Sequence, residues 1–454
     1  MKRHGGIMLL ALCWSLPAIA LSLPARSLAA GPPSGLNVTV SNTEIESTIS
    51  ESGNIVTTWG GIAADAIARS NEAAATLNTP GVGLMLMAQV QLAVYDVMVA
   101  LKEGKFEPFS YDQKAHGNPD RDAAVATAAY RVLRTRIPGR AAYLDAQYAT
   151  SMSGISDGKH RTRGIELGEA VAAHYLALRA NDHIFDNPLW VQPTPGPGVF
   201  EPVAPTPPVD YKLVFVPPYT FDIADTPSYF PPPPPALTSD QYTHDWTETR
   251  DLGRVDGTIR TPEQRQLALW TGENSFRWES RNVVALAVTK GLDPMQSARL
   301  FAMVFTSGAD TLQVGMSAKY HYNFWRPFHA IPRADTDGNP ATVGDPTWKP
   351  TLNINHPEYP AGHGFLGGGS MVESVRSFFE TDAVEWTIDT VGVVGLTQTS
   401  RTYTSLTALG EDIMFARVLA GLHFQFSTDA GRALGLAVNA HVIENNFRPA
   451  NGDD

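Results

Sequence analysis

Three short segments in the last third of this chain gather residue types suited to holding an anion. They are Lys319-Tyr-His-Tyr-Asn-Phe-Trp-Arg326-Pro327, His356-Pro-Glu-Tyr-Pro-Ala-Gly-His363 and Arg417-Val-Leu-Ala-Gly-Leu-His423. Lys319 and Arg326 are seven apart, two turns of a helix, so the spacing predicts both cations on one face. Pro327 disfavours helical geometry at Arg326, which places the pair at a helix end. Two cations alone read equally as a solvated basic face. The surrounding Tyr320, Tyr322, Phe324, Trp325 and Phe328 argue for a partly buried cluster instead, and desolvated cations need a counter-anion because leaving them unpaired costs several kcal/mol each.

The second segment begins with stiff prolines and ends in small residues. That suits a loop that brings backbone donors near a ligand and leads into a helix N-terminus, with His363 facing the anion. Arg417 and His423 are six apart and not on one helical face. Gly421 is a helix stop that would turn His423 back towards Arg417. Each segment alone also has a plain reading: a loop histidine, a helix-end arginine, a capping histidine.

Taken in this order and spacing, the segments resemble the signature shared by vanadium haloperoxidases and type-2 phosphatidic acid phosphatases. That signature is a lysine, six residues, Arg-Pro; then Pro-Ser-Gly-His; then Ser-Arg, five residues, His. Lys319, Arg326, Pro327, Pro360, Gly362, His363, Arg417 and His423 match it. The helical, proline-interrupted upstream half is also similar to soluble bacterial haloperoxidase-like proteins.

The resemblance implies an all-α helical-bundle fold with vanadate, or phosphate as its isostere, as the bound oxyanion. His423 would be the residue bonded to vanadium, and His363 the acid and base at the apical oxygen. Lys319, Arg326 and Arg417 would neutralise the equatorial oxygens, with the Gly362 amide as a further donor; a guanidinium suits this because its fork donates bidentately. The implied activity is halide oxidation by hydrogen peroxide to hypohalous acid, which halogenates a small organic acceptor; Lys319 would polarise the peroxide, with vanadium as a Lewis acid. His356 stands where family bromoperoxidases have histidine and a chloroperoxidase has phenylalanine, which favours bromide or iodide; its plain reading is a ring stacked on Pro357.

Three departures from the signature stand out. Ala361 replaces the motif serine, removing a hydroxyl donor worth about 1–3 kcal/mol to a charged acceptor. Ala416 replaces the serine before Arg417. Ser427 stands where many haloperoxidases have aspartate, with Asp429 two residues later. A carboxylate that orients the arginines has Glu273, Glu279 and Asp310 as candidates. Two other functions stay open: a soluble acid phosphatase with no cofactor, in which His423 attacks a phosphate ester to form a phosphohistidine and His363 protonates the leaving group, and a degenerate anion-binding protein.

The elements that position these residues read as helices. From about Thr57 to Ala180 the chain shows amphipathic helical stretches rich in Ala, Leu and Val, such as Leu84 to Leu101 and Asp122 to Leu133. His116, His160, His174 and His183 stand singly there, as surface or satisfied-core histidines. Between Pro188 and Pro235 lie 16 of the 34 prolines. This excludes a helix or central strand and predicts an irregular crossover docked by Trp190, Phe200, Tyr219 and Phe221. Helices resume after Thr261-Pro262 and Asp293-Pro294, both N-terminal signatures, and cover Gly367 to Phe379, Leu406 to Leu419 and Thr428 to Asn445. Few strands are expected.

The expected organisation is a signal peptide at 1–30, an N-terminal helical part at 31–187, the proline-rich connection at 188–240, and a C-terminal helical part at 241–454 carrying the oxyanion site. The leader is a basic start, an apolar run from Ile7 to Leu23, and small residues at Ser27 and Ala29. Its alternative, a membrane anchor, is disfavoured by Pro17 and Pro24. Cleavage would remove Cys13, the sole cysteine. It would also remove Lys2, Arg3 and Arg26, three of the 34 basic residues, and none of the 46 acidic ones, shifting the formal charge from −12 to −15. That balance argues against nucleic acid or an anionic membrane as partner. No apolar run of eighteen residues follows, so no membrane span is expected. A secreted or periplasmic protein is expected, with its oligomeric state open.

Overall fold

A computed structural model describes residues 53–69, 79–101, 106–203, 207–257 and 259–450, all within one compact unit. The expected leader lies outside the described residues. The fold is helical, as anticipated. Helices α1 (Ile55–Ala68), α2 (Pro80–Ala100), α3 (Arg121–Arg136), α4 (Ala141–Ser153) and α5 (Lys159–Leu178) form the first half. Helices α6 (Asp240–Gly253), α7 (Pro262–Trp270), α8 (Ser275–Thr289), α9 (Pro294–Tyr322) and the one-turn α10 (Pro327–Ala330) follow. A π-helical stretch (Gly364–Met371) runs into α11 (Val372–Phe379), and α12 (Leu406–Leu419) and α13 (Gln425–Asn445) complete the chain. Trp386–Asp389 and Ser400–Tyr403 pair as an antiparallel hairpin, Trp386 opposite Tyr403.

Local chemistry sets the helix starts. Thr261 and Asp293 each close a capping box with a glutamine three residues on, and each is followed by proline at the first helical position. Helix α9 is the axis of the fold: it packs against α2, α13 and the π-helical stretch. One apolar core extends from Val56 to Phe447 across both halves. Helix α2 departs from the amphipathic expectation, because it is buried on nearly every side. It is long and apolar enough to cross a membrane by length and composition, yet here it is an interior helix.

The proline-rich segment carries no α-helix or strand among its described residues, only two 3₁₀ turns, Tyr211–Phe215 and Ile223–Tyr229. Asp310 on α9 pins it by accepting from Tyr219 N, Thr220 N and Thr220 Oγ1 at 2.6, 3.0 and 2.6 Å. Phe200 is buried against Trp190, and Phe221 packs on His441 of α13.

Candidate active site

The expectation that Lys319 and Arg326 share one helical face fails. Helix α9 ends at Tyr322 because Asn323 adopts the left-handed conformation, φ 45°, and Arg326 is extended. Lys319 sits in the last turn, and the reversal at Asn323 brings Arg326 back beside it. Both are completely buried. Around them Tyr242, Trp246, Phe324, Trp325, Tyr359, Phe424 and Phe426 form a separate aromatic cluster.

The loop before the π-helical stretch supplies carbonyls to both cations. Lys319 Nζ donates to Pro357 O and Glu358 O at 3.0 and 2.9 Å. Arg326 donates to His356 O at 2.5 Å, to Leu422 O at 2.9 Å and to the His356 ring at 2.9 Å, and makes weaker contacts to Pro357 O and His423 Nε2 at 3.3 and 3.4 Å. The π-helical stretch lies close on α13: a β-carbon on Gly435 would meet Phe365 O at 2.2 Å, so only glycine permits this approach. Gly362 and His363 stand at its entrance, partly exposed, and no described group hydrogen-bonds the His363 ring.

Arg417 ends α12. Leu422 N returns to Arg417 O at 3.0 Å and Gly421 N to Val418 O at 2.9 Å, with Gly421 at φ 71°, a Schellman closure that carries His423 back towards the arginine. Arg417 is anchored by Thr271 O and Oγ1, both at 2.9 Å, while its buried Nε has no partner among the described residues.

Lys319, Arg326, Arg417, His356, His363 and His423 thus surround one interior. Burial, then repulsion from the neighbouring guanidiniums, holds Lys319 well below the usual lysine value and brings Arg417 to about 9, while burial alone, against the pull of Glu358, brings Arg326 to about 10. The three imidazoles are pushed well below the usual histidine value, chiefly by burial and then by the adjacent guanidiniums, so they are neutral acceptors at pH 7. Three buried cations and an unsatisfied Arg417 Nε fit a multiply charged oxyanion, which would also displace the long Arg326 contacts.

Sequence reasoning missed Glu358. Its Oε1 lies 2.9 Å from His423 Nδ1 and accepts from Phe424 N at 3.0 Å, and its side chain is fully buried. Burial raises it to about 7, against the pull of Lys319 and Arg326. The available signal was a lone acid inside a motif of buried cations and aromatics. The carboxylates first considered serve elsewhere. Glu273 pairs with Arg281 at 2.6 and 2.8 Å, Asp310 binds the crossover, and Glu279 is buried in α8 with Oε1 unpartnered among the described residues. Asp429 is exposed and accepts from Gln425, so it does not stand in for the carboxylate missing at Ser427.

The family model described as the VCPO second helical-bundle domain matches residues 299–452, a span holding every member of this cage. The C-terminal helical region is therefore similar to the second helical-bundle domain of vanadium chloroperoxidases. A vanadium chloroperoxidase from Curvularia inaequalis is 28% identical over 326 residues, 60% of this chain and 51% of that protein. The chain therefore spans about half the length of this curated relative. In fold, the chain is similar to the first bacterial vanadium-dependent iodoperoxidase structure, with TM-score 0.72 and 18% identity over 88% of this chain and 99% of that one. A holo-type bacterial vanadium-dependent chloroperoxidase gives TM-score 0.64 and 17% identity over 80% and 91%. The helical, proline-interrupted architecture is thus that of vanadium haloperoxidases on both sides of the crossover.

Proposed function

We propose that this protein is a vanadium-dependent haloperoxidase that oxidises bromide or iodide with hydrogen peroxide and halogenates a small organic acceptor. The observation that carries this reading is the convergence of three buried cations on two neutral histidines, with Arg417 Nε lacking a partner among the described residues. Vanadate, when bound, supplies a Lewis-acid centre for peroxide. Lys319, Arg326 and Arg417 hold its oxygens, and the Gly362 amide adds a donor. His423 offers Nε2 as the ligand atom, since Nδ1 faces Glu358. His363, neutral and open on the pocket side, takes and returns a proton at its ring nitrogen. The preference for bromide or iodide rests on His356, which touches Arg326 rather than merely stacking on Pro357.

The pairing of His423 with Glu358 favours a second reading, a phosphatase in which Nε2 attacks phosphorus. Purified protein with orthovanadate, peroxide and bromide, iodide or chloride, scored on a phenol acceptor, tests the first; p-nitrophenyl phosphate without vanadate tests the second. Hydrolysis with no halogenation would overturn the haloperoxidase. Calorimetry showing neither vanadate nor phosphate bound at micromolar levels would leave a degenerate anion-binding protein. The leader read at residues 1–30 supports a periplasmic or secreted protein, which fractionation checks.

A further inference from the structure

Glu358 is where the three motif segments meet. Its backbone carbonyl accepts from Lys319 Nζ at 2.9 Å and from Ser427 Oγ at 3.4 Å, while its carboxylate accepts from His423 Nδ1 and Phe424 N. The side chain is completely buried, and Oε2 has no partner among the described residues. Stability alone does not account for an acid here, since an apolar residue of similar size would avoid the cost of burying it.

The imidazole of His423 is constrained from both sides. Nδ1 faces a carboxylate at 2.9 Å, an acceptor, so Nδ1 carries the proton. Nε2 faces Arg326 NH1 at 3.4 Å, and a guanidinium can only donate, so Nε2 keeps its lone pair. Ser427, four residues after His423, occupies the place where many haloperoxidases carry aspartate and lies against the Glu358 carbonyl.

We propose that Glu358 is the positioning residue of this site: it locks His423 as the Nδ1–H tautomer and presents Nε2 to the oxyanion. This rests on the oxyanion reading above. A carboxylate behind a ligand histidine fixes its ring and raises its basicity. Here the carboxylate comes from the second motif, and so ties the histidine to the loop that also restrains Lys319.

The test uses the full chain labelled with ¹⁵N-histidine, His423 being assigned by His423→Asn. In the free wild-type protein His423 should give the Nδ1–H pattern, and Glu358→Gln, whose amide oxygen still accepts, should keep it; in Glu358→Ala that pattern should give way to a tautomer mixture. Titration with orthovanadate, and separately with inorganic phosphate, should show affinity weakened about 10- to 100-fold in both variants. An unchanged tautomer in Glu358→Ala, with affinity within twofold of wild type, overturns the proposal. A wild-type protein that binds neither anion overturns the oxyanion reading, and the nitrogen spectrum then decides the tautomer lock by itself.

Discussion

Arg326 NH1 and His423 Nε2 lie 3.4 Å apart although 97 residues of chain separate them, and the same guanidinium is bonded to the carbonyls of His356 and Leu422. One planar fork therefore fixes the distance between the second and third motifs. Lysine at this position has charge but a single donor centre. Arg326→Lys should leave at least one buried carbonyl unpaired, at about 1–3 kcal/mol. The expected result is a lower melting temperature together with phosphate or vanadate affinity reduced at least tenfold in calorimetry. Equal affinity would show that the fork is dispensable.

Ala361 is buried where the family signature has serine, and its amide donates to Ser427 O at 3.0 Å. Ala361→Ser adds one hydroxyl next to Gly362 and the oxyanion interior. A hydrogen bond to a charged acceptor contributes about 1.5–3 kcal/mol, so vanadate should bind roughly tenfold or more tightly. Titration of the variant beside wild type measures this directly; an unchanged dissociation constant would mean that position 361 does not reach the anion.

The parts legible in sequence were those written locally. The capping boxes at Thr261 and Asp293 and the glycine stop at Gly421 depend on residues within a turn of one another, and each forms. Tertiary contacts decided the rest. Helix α2 is enclosed on all sides, so it has no polar stripe for a period to reveal. The π-helical turn at Gly364–Met371 is shaped by the close approach of Gly435, about seventy residues on. Glu358 escaped notice because its partner is 65 residues downstream, and no spacing rule connects a carboxylate to a histidine across such a loop.

Gly421 supports the geometry of His423 through its conformation and its lack of a side chain. At φ 71° a β-carbon would lie 2.6 Å from Gly253 O and 3.0 Å from both Pro350 and Trp348. Gly421→Ala combines left-handed strain of about 1–2 kcal/mol with overpacking of about 1–3 kcal/mol. Thermal unfolding should show a loss of several degrees, and anion affinity should fall as well, because the turn displaces His423. A variant as stable as wild type would contradict the close packing of α6 on this turn.

His356 separates anion binding from halide choice. Its ring bonds to Arg326 NH2 at 2.9 Å, but its backbone carbonyl, which holds Arg326 Nε, survives any substitution. His356→Phe should therefore keep vanadate affinity within a few-fold while changing the ratio of chloride to bromide turnover. Steady-state rates with each halide test this. Loss of vanadate binding with no change in the ratio would assign His356 to holding the arginine alone.

Glu279 offers a readout of stability against pH that is remote from the oxyanion chemistry. Burial in α8 raises its carboxyl from 4.5 to about 8. In the folded chain it stays protonated at neutral pH, whereas in the unfolded chain it ionises near its ordinary value. A folded value above the unfolded one gives a contribution that is fully present below about pH 4.5 and is lost as pH rises through about 8. Glu279→Gln has the same size and no proton to lose. Its melting temperature should match wild type at pH 5 and exceed it by a few degrees at pH 8, because the penalty removed grows with pH at about 1.4 kcal/mol per unit. Melting curves that run parallel from pH 5 to 8 would show that this carboxyl finds an ionised state inside the fold, in conflict with the unpartnered Oε1.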